Sequence, residues 1–395
     1  MDIQTLQKHV LTLATIKETD APMVSCYLNL EKGLTAARRI LDERVRLLRK
    51  TLPTPQRDSF EHALLGIESR LAAGFQTESL GAAVFARDGE QKFLLDLEFR
   101  VPLPTWIAVN STPNIYHLVE LKDTYDRYVV VLVNERSTRI LEVHLGSVTD
   151  VAWTKRPELR ERVGRGWSRE HYQSHRPERN HEFANEVVRF VDEVMSTGGY
   201  GHLILAGTPR MTAVIREALP KRLASKLIDV VPASANERTS AVVAETLASF
   251  VEQEQQESLA AVDRLQKNIC SHGLAVAGSA SSLQALKCRQ VDMLVMATEY
   301  TSEPAWMCPG CDIVAVQQAR PAVCPNCGRS TTRELDLKEA LVRLAELAGC
   351  GVEIVHDSEI LMRMGGVGCL LRYLSTEAHC EAAANNLRDP ALVTP

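Results

Sequence analysis

Residues 202–231, H-L-I-L-A-G-T-P-R-M-T-A-V-I-R-E-A-L-P-K-R-L-A-S-K-L-I-D-V-V, read as strand, helix, strand. His202–Ala206 is a short apolar run closed by Gly207, too brief for a stable helix. From Met211 to about Leu219 apolar residues recur at helical spacing, and Leu227–Val231 is again apolar and β-branched. A further helix is expected from about Asn236. Strands alternating with helices bury both faces of a sheet, so the chain is predicted to be α/β.

Working outward, Tyr128–Val133 and Thr138–Val143 predict a β-hairpin across Asn134–Ser137. Phe183, Val187, Phe190, Val191 and Val194 predict a helix that starts near Pro177 and ends at Gly198-Gly199. This gives a middle domain over 127–256. The polar run Gln253–Ser258 suits either a linker or continuous helix. Ahead of it, 1–126 alternates strands (Val24–Leu30, Leu80–Ala86, Lys92–Phe99) with two helices (Ala36–Leu52, Arg57–Ala73) joined at the Pro53–Pro55 turn. After it, 257–374 is a third α/β domain, with helices to about Ile269, around Ser282–Leu286 and at Leu337–Leu347. Its strands are expected at Val291–Ala297, Val352–Val355 and Val367–Tyr373. The tail 375–395 has too little bulky apolar content to pack alone.

Two C-P-x-C pairs interrupt the third domain at about 302–333. Cys308, Cys311, Cys324 and Cys327 stand at C-x2-C-x12-C-x2-C spacing. Each pair can turn two thiolates to one point, and four thiolates complete a tetrahedral shell, so the reading is a closed, structural Zn2+ ribbon. A disulfide pair, iron or a redox role are the alternatives. The other six cysteines form no disulfide framework, no apolar run approaches the roughly 20 residues that span a bilayer, and the N-terminus lacks a secretory pattern. A soluble cytoplasmic protein follows as the expectation.

The segment 154–181 is basic. It holds eight Lys/Arg against four Glu, a local +4 in a chain of formal charge −5. Arg165, Arg169, His171, Arg176 and Arg179 are candidate RNA contacts, with Trp167 as a face for a base to stack on. Lys155, Arg156, Arg160 and Arg162 are candidate phosphate contacts. The bland alternative is a solvated, salt-bridged surface loop, with Trp167 packed at its base. Tyr172 and Phe183 read as packing residues. Catalytic motifs are missing: there is no Walker-A sequence, no G-x-S-x-G and no dinucleotide fingerprint. H-E-F-A-N at 181–185 places Asn185 where a zinc protease needs histidine, and Gly365-Gly366-Val367-Gly368 reads as a tight turn.

Taken together, H-R-P-E-R-N-H (175–181), the cysteine ribbon and G-V-E-I-V-H-D-S-E-I (351–360) followed by G-G-V-G-C-L-L-R-Y (365–373) resemble the archaeal and eukaryotic class-I release factor and Pelota family. Within that family the likeness is to a bacterial ribosome-hibernation member. The resemblance implies a three-domain release-factor/Pelota-like architecture with a zinc-ribbon insertion in the third domain. It also implies a ribosomal partner, with the first domain by the decoding centre and the middle domain reaching the peptidyl-transferase centre. A translational GTPase is a second implied partner, elongation factor Tu being the bacterial candidate; neither a membrane nor DNA is expected. In release factors a Gly-Gly-Gln tripeptide at the middle-domain tip positions water for peptidyl-tRNA hydrolysis. Here the corresponding loop is Gly164-Arg165-Gly166-Trp167-Ser168, and the stop-codon motif Asn-Ile-Lys-Ser is replaced by Leu52-Pro53-Thr54-Pro55. The expectation is therefore a non-catalytic factor that occupies the vacant A site of idle or stalled ribosomes. The alternative is a peptidyl-tRNA-hydrolysing or Pelota-like rescue factor.

Overall fold

The computed structural model describes residues 1–134, 137–155, 176–234, 237–311, 313–316 and 318–374. Three sheet-centred α/β domains and a small ribbon follow one another along the chain.

In the N-terminal domain β1 (Met23–Asn29), β2 (Gly81–Arg87), β3 (Phe93–Phe99) and β4 (Trp106–Asn110) form an antiparallel sheet of order β3-β2-β1-β4. The helices Leu34–Thr51 and Thr54–Ala73 meet at Pro53, which opens the second helix where its missing N–H costs nothing. Leu41, Val45, Phe60, Leu64 and Ile67 from these helices close over Val24, Cys26, Leu28 and Val84 of the sheet. A helix at Ile3–Thr15, the strand β4 and a helix at Tyr116–Thr124 add to what the sequence pattern predicts.

The middle domain places β5 (Tyr128–Val133), β6 (Ser137–His144), β7 (Ser147–Lys155), β8 (His202–Gly207) and β9 (Leu227–Pro232) in the order β7-β6-β5-β8-β9. The predicted hairpin is β5–β6, and β8 lies parallel to both β5 and β9. Helices Arg176–Gly198 and Pro209–Ala218 cover one face through Phe183, Val187, Val191, Met211 and Ile215. The other face is covered by Val242, Val243 and Phe250 of the helix Thr239–Cys270, with Phe250 stacked on Tyr128 at 4.4 Å between ring centroids. Gly207 ends β8 because an added Cβ would lie 1.9 Å from the Val133 carbonyl oxygen. Gln253–Ser258 sits inside the helix Thr239–Cys270, so the polar run is helix and not linker.

The C-terminal domain has β10 (Ala275–Ala277), β11 (Val291–Ala297), β15 (Gly351–Val355) and β16 (Val367–Leu371) in the order β10-β16-β11-β15. Only β11–β15 is parallel. Between β11 and the helix Leu337–Ala348 the chain forms the ribbon, where β12 (Ala305–Met307) pairs with β13 (Val314–Val316) and β14 (Arg333–Glu334). Gly365 and Gly366 take φ of 97° and 73°, so the glycine group is the tight turn its sequence predicts.

The chain divides into two compact units, one being the middle domain Tyr125–Glu254 together with Met1–Ile3. The N-terminal and C-terminal domains, expected from the sequence to be separate, together make the other unit.

Candidate metal centre and nucleic-acid interface

The ribbon brings the four predicted cysteines to one point. Cys308 and Cys327 Sγ are 3.5 Å apart, Cys311 and Cys324 Sγ 3.7 Å, and all four sulfurs lie within 4.8 Å of one another. A tetrahedron with metal–sulfur bonds of about 2.3 Å has edges of about 3.8 Å, so the donor spacing fits a bound ion. Each C-P-x-C pair is a tight turn. The Cys311 N–H donates to the Cys308 carbonyl (3.3 Å) and the Gly328 N–H to the Cys324 carbonyl (2.9 Å), with Gly328 at φ 71°. Trp306 packs beside Cys308 and Cys324 as the ribbon's small core.

Electrostatics at the four sulfurs are uneven. Desolvation works against ionising Cys308, but the Thr331 hydroxyl, the Gly310 N–H and neighbouring thiols outweigh it and bring that thiol down to about 6. The Asn326 side chain and the Ile313 N–H lower Cys311. At Cys327 the Arg329 N–H favours the thiolate, yet desolvation and the other three sulfurs push it up to about 11. Several thiolates crowded together favour a cation at their centre, and four protein donors leave no position open for substrate.

Both ends of the basic segment 154–181 lie on regular elements. Strand β7 runs through Lys155, paired opposite Ser137, and the helix opens at Arg176, so Lys155, Arg176 and Arg179 belong to regular elements. β-branched Val148, Thr149, Val151 and Thr154 extend β7 beyond the hairpin that the sequence suggests. Arg156, Arg160, Arg162, Arg165, Trp167, Arg169 and His171 lie outside the described residues. Phe183 is buried in the core of the middle domain, as a packing residue.

Sequence reasoning missed the junction of the N- and C-terminal domains. The helix Leu337–Ala348 is capped by Asp336, whose side chain accepts from the Glu339 N–H. Its Leu337, Leu341 and Ala345 are fully buried in the domain's own packing, and Glu339, Arg343 and Glu346 follow the opposite face at i, i+4, i+7. Glu339 accepts from the N–H groups of Ile115 (2.6 Å) and Tyr116 (3.1 Å) at the start of the helix Tyr116–Thr124. Arg343 donates to the carbonyls of Leu13 (3.1 Å) and Ile16 (2.8 Å), and Glu346 pairs with Lys122. Burial pushes Glu339 up to about 8, against the two N–H hydrogen bonds that oppose it.

Residues 113–251, which span the middle domain, match bacterial archaeo-eukaryotic release factor family 10. Among solved structures, Pelota from Archaeoglobus fulgidus is 15% identical over 75% of this chain and 80% of its own, with a TM-score of 0.35. Dom34 from S. cerevisiae, described as a translation termination-like factor interacting with Hbs1, is 8% identical over 75% of this chain and 81% of its own, with a TM-score of 0.40. A ribosome-bound archaeal Pelota, described together with ABCE1, is 12% identical over 95% of both chains, with a TM-score of 0.41. No curated protein matches this chain. Among its described residues no helix is long and apolar enough to cross a membrane.

Proposed function

We propose that this release-factor-like protein is a cytoplasmic, non-hydrolytic ribosome-binding factor that occupies the vacant A site and protects idle or stalled ribosomes. The observation that carries the reading is the family match over 113–251 in a chain that nowhere contains Gly-Gly-Gln. Between β7 and the helix Arg176–Gly198 stand arginines and Trp167 instead. Hydrolysis needs a water held about 3–3.5 Å from the ester carbon in an aligned pose, which two adjacent glycines permit and bulky cationic side chains obstruct. Arginines suit the other task, because their planar forks bind phosphate oxygens in pairs. The protein then acts by steric exclusion of aminoacyl-tRNA, release factors and nucleases, and has no catalytic residue.

The four thiolates at Cys308, Cys311, Cys324 and Cys327 hold zinc in this proposal. The ion ties the two turns together and takes no part in chemistry. A translational GTPase, in bacteria elongation factor Tu, delivers or accompanies the protein.

The test incubates the protein with ribosomes carrying labelled peptidyl-tRNA, followed by sedimentation and a peptide-release assay. Co-sedimentation without release is the expected outcome. Release in proportion to added protein would establish a rescue hydrolase instead, and failure to sediment would remove the ribosome as partner.

A further inference from the structure

The helix Leu34–Thr51 carries Arg38, Arg39, Arg44, Arg46, Arg49 and Lys50 against Asp42 and Glu43, a concentration of positive charge comparable to that of 154–181. Its apolar stripe, Ala37, Leu41 and Val45, is already buried against the sheet, and all six cations are exposed. Arg49 is held by Glu61 through two hydrogen bonds of 2.7 and 2.8 Å. Arg38, Arg39, Arg44, Arg46 and Lys50 meet no carboxylate within 4.0 Å among the described residues. At 100° per residue, Arg39, Arg46 and Lys50 (i, i+7, i+11) fall in one row on the outer face with Glu43 (i+4) among them, and Arg38 and Arg49 lie together on one side of it, beyond Asp42. The row is about 17 Å long at 1.5 Å per residue, enough to follow several phosphates of one strand.

We infer that the outer face of Leu34–Thr51 is a second RNA-binding surface, which grips the phosphate backbone independently of the basic segment in the middle domain. Self-repulsion among the cations, which Asp42 and Glu43 offset in part without meeting Arg38, Arg39, Arg44, Arg46 or Lys50 in an ion pair, is relieved when a polyanion displaces their counterions. Five of the six cations are arginine, the residue whose fork matches phosphate. An interfacial membrane helix needs a free apolar face, and here that face is consumed by the sheet; Ile40 and Leu47 are the large apolar side chains left exposed, and neither is aromatic. The contact is to backbone and not to bases, since the surface offers cations without aromatic platforms, so affinity is strongly salt-dependent and indifferent to sequence. Naming ribosomal RNA as the target rests on the function proposed above, whereas the surface itself rests on the charge and its exposure. Two phosphate grips on one chain raise overall affinity by effective concentration.

The test uses the full-length chain with Arg39→Gln, Arg46→Gln and Lys50→Gln combined, all exposed positions, with thermal unfolding as the control for folding. Binding to ribosomes and to a 20-base-pair RNA duplex is measured over a salt series. The expected result is a loss of about tenfold or more in affinity near 0.1 M salt and a salt slope shallower by two to three units, for both targets. Replacing the same three residues with Lys, Lys and Arg should restore most of the binding. An unaltered slope and affinity on the duplex would overturn the inference. So would a charge-dependent binding seen with phosphatidylserine vesicles or polyglutamate and not with the duplex. If wild-type protein binds the duplex through these residues and ignores ribosomes, this surface stands and the ribosomal function falls.

Discussion

At Glu339 a buried carboxyl group takes the place of water at the two N–H groups that open the helix Tyr116–Thr124. In the unfolded chain such a group titrates near 4.5, and in the fold burial holds its proton up to about 8. Below pH 4.5 both states are protonated and the contribution to stability is present in full; it is lost as pH rises from about 4.5 to about 8, because only the unfolded chain gains by ionising. Thermal unfolding should therefore show the domain junction weakening across that window, and Glu339→Gln should flatten the dependence. Equal slopes in the two proteins would refute the assignment. Glu339→Ala strands two buried N–H groups and should cost about 2–4 kcal/mol in denaturant unfolding. At the cysteines, about one zinc equivalent should accompany purified protein, and Cys311→Ser should reduce it to near zero with loss of ribbon stability. Full metal content in the serine variant would eliminate the four-thiolate site. The cysteines were legible because x2 spacing is itself the geometry of a two-thiolate turn. Glu339 was not, because Glu339, Arg343 and Glu346 form a charged helical face, and nothing local distinguishes a charged face in water from one closed against another domain.

Among the elements, strands β5, β6, β8, β9 and β11 and the paired helices of the N-terminal domain follow directly from periodicity. Besides the helices Ile3–Thr15 and Tyr116–Thr124 and the strands β4 and β7, the elements absent from the sequence reading are very short: β10 has three residues, and the ribbon strands β12, β13 and β14 have three, three and two. β10 is held by pairing with β16, distant in sequence, and the ribbon strands flank the cysteine cluster; intrinsic propensity does not hold strands this short. The helix Thr239–Cys270 is the opposite case. Its middle, around Gln255 and Gln256, is polar and exposed, yet glutamine and glutamate are good helix formers and no glycine or proline interrupts them. Gln255→Gly with Gln256→Gly should cost about 2 kcal/mol and open a proteolytic site near 253–258. Unchanged protease resistance would mean that packing elsewhere, and not helix continuity, protects this stretch.

For the whole molecule, charge distribution matters more than net charge. The chain is at −5, but the segment 154–181 alone is at +4, leaving −9 for the rest. Repulsion between the acidic remainder and RNA restricts productive encounters to the basic surfaces and makes binding orientation-dependent. Replacing Arg165 and Arg169 with Ala should weaken ribosome binding and lower its salt slope by about one unit for each phosphate no longer neutralised. Binding curves that superimpose on wild type would remove that segment from the interface. Joining this variant to the Arg39/Arg46/Lys50 substitutions should weaken binding more than either set alone, as two linked grips require.

Sequence by itself determined the α/β class, the four-thiolate spacing and the absence of a Gly-Gly-Gln tripeptide. All are properties of neighbours in the chain: hydrophobic period, turn residues and fixed offsets. Tertiary structure alone decided that the first and last domains close into one unit, that the polar run 253–258 is helix, and that Lys155, Arg176 and Arg179 sit on regular elements. The physical reason is that burial of a charge depends on what lies opposite it. For Glu339 that is a helix start more than 220 residues away in sequence.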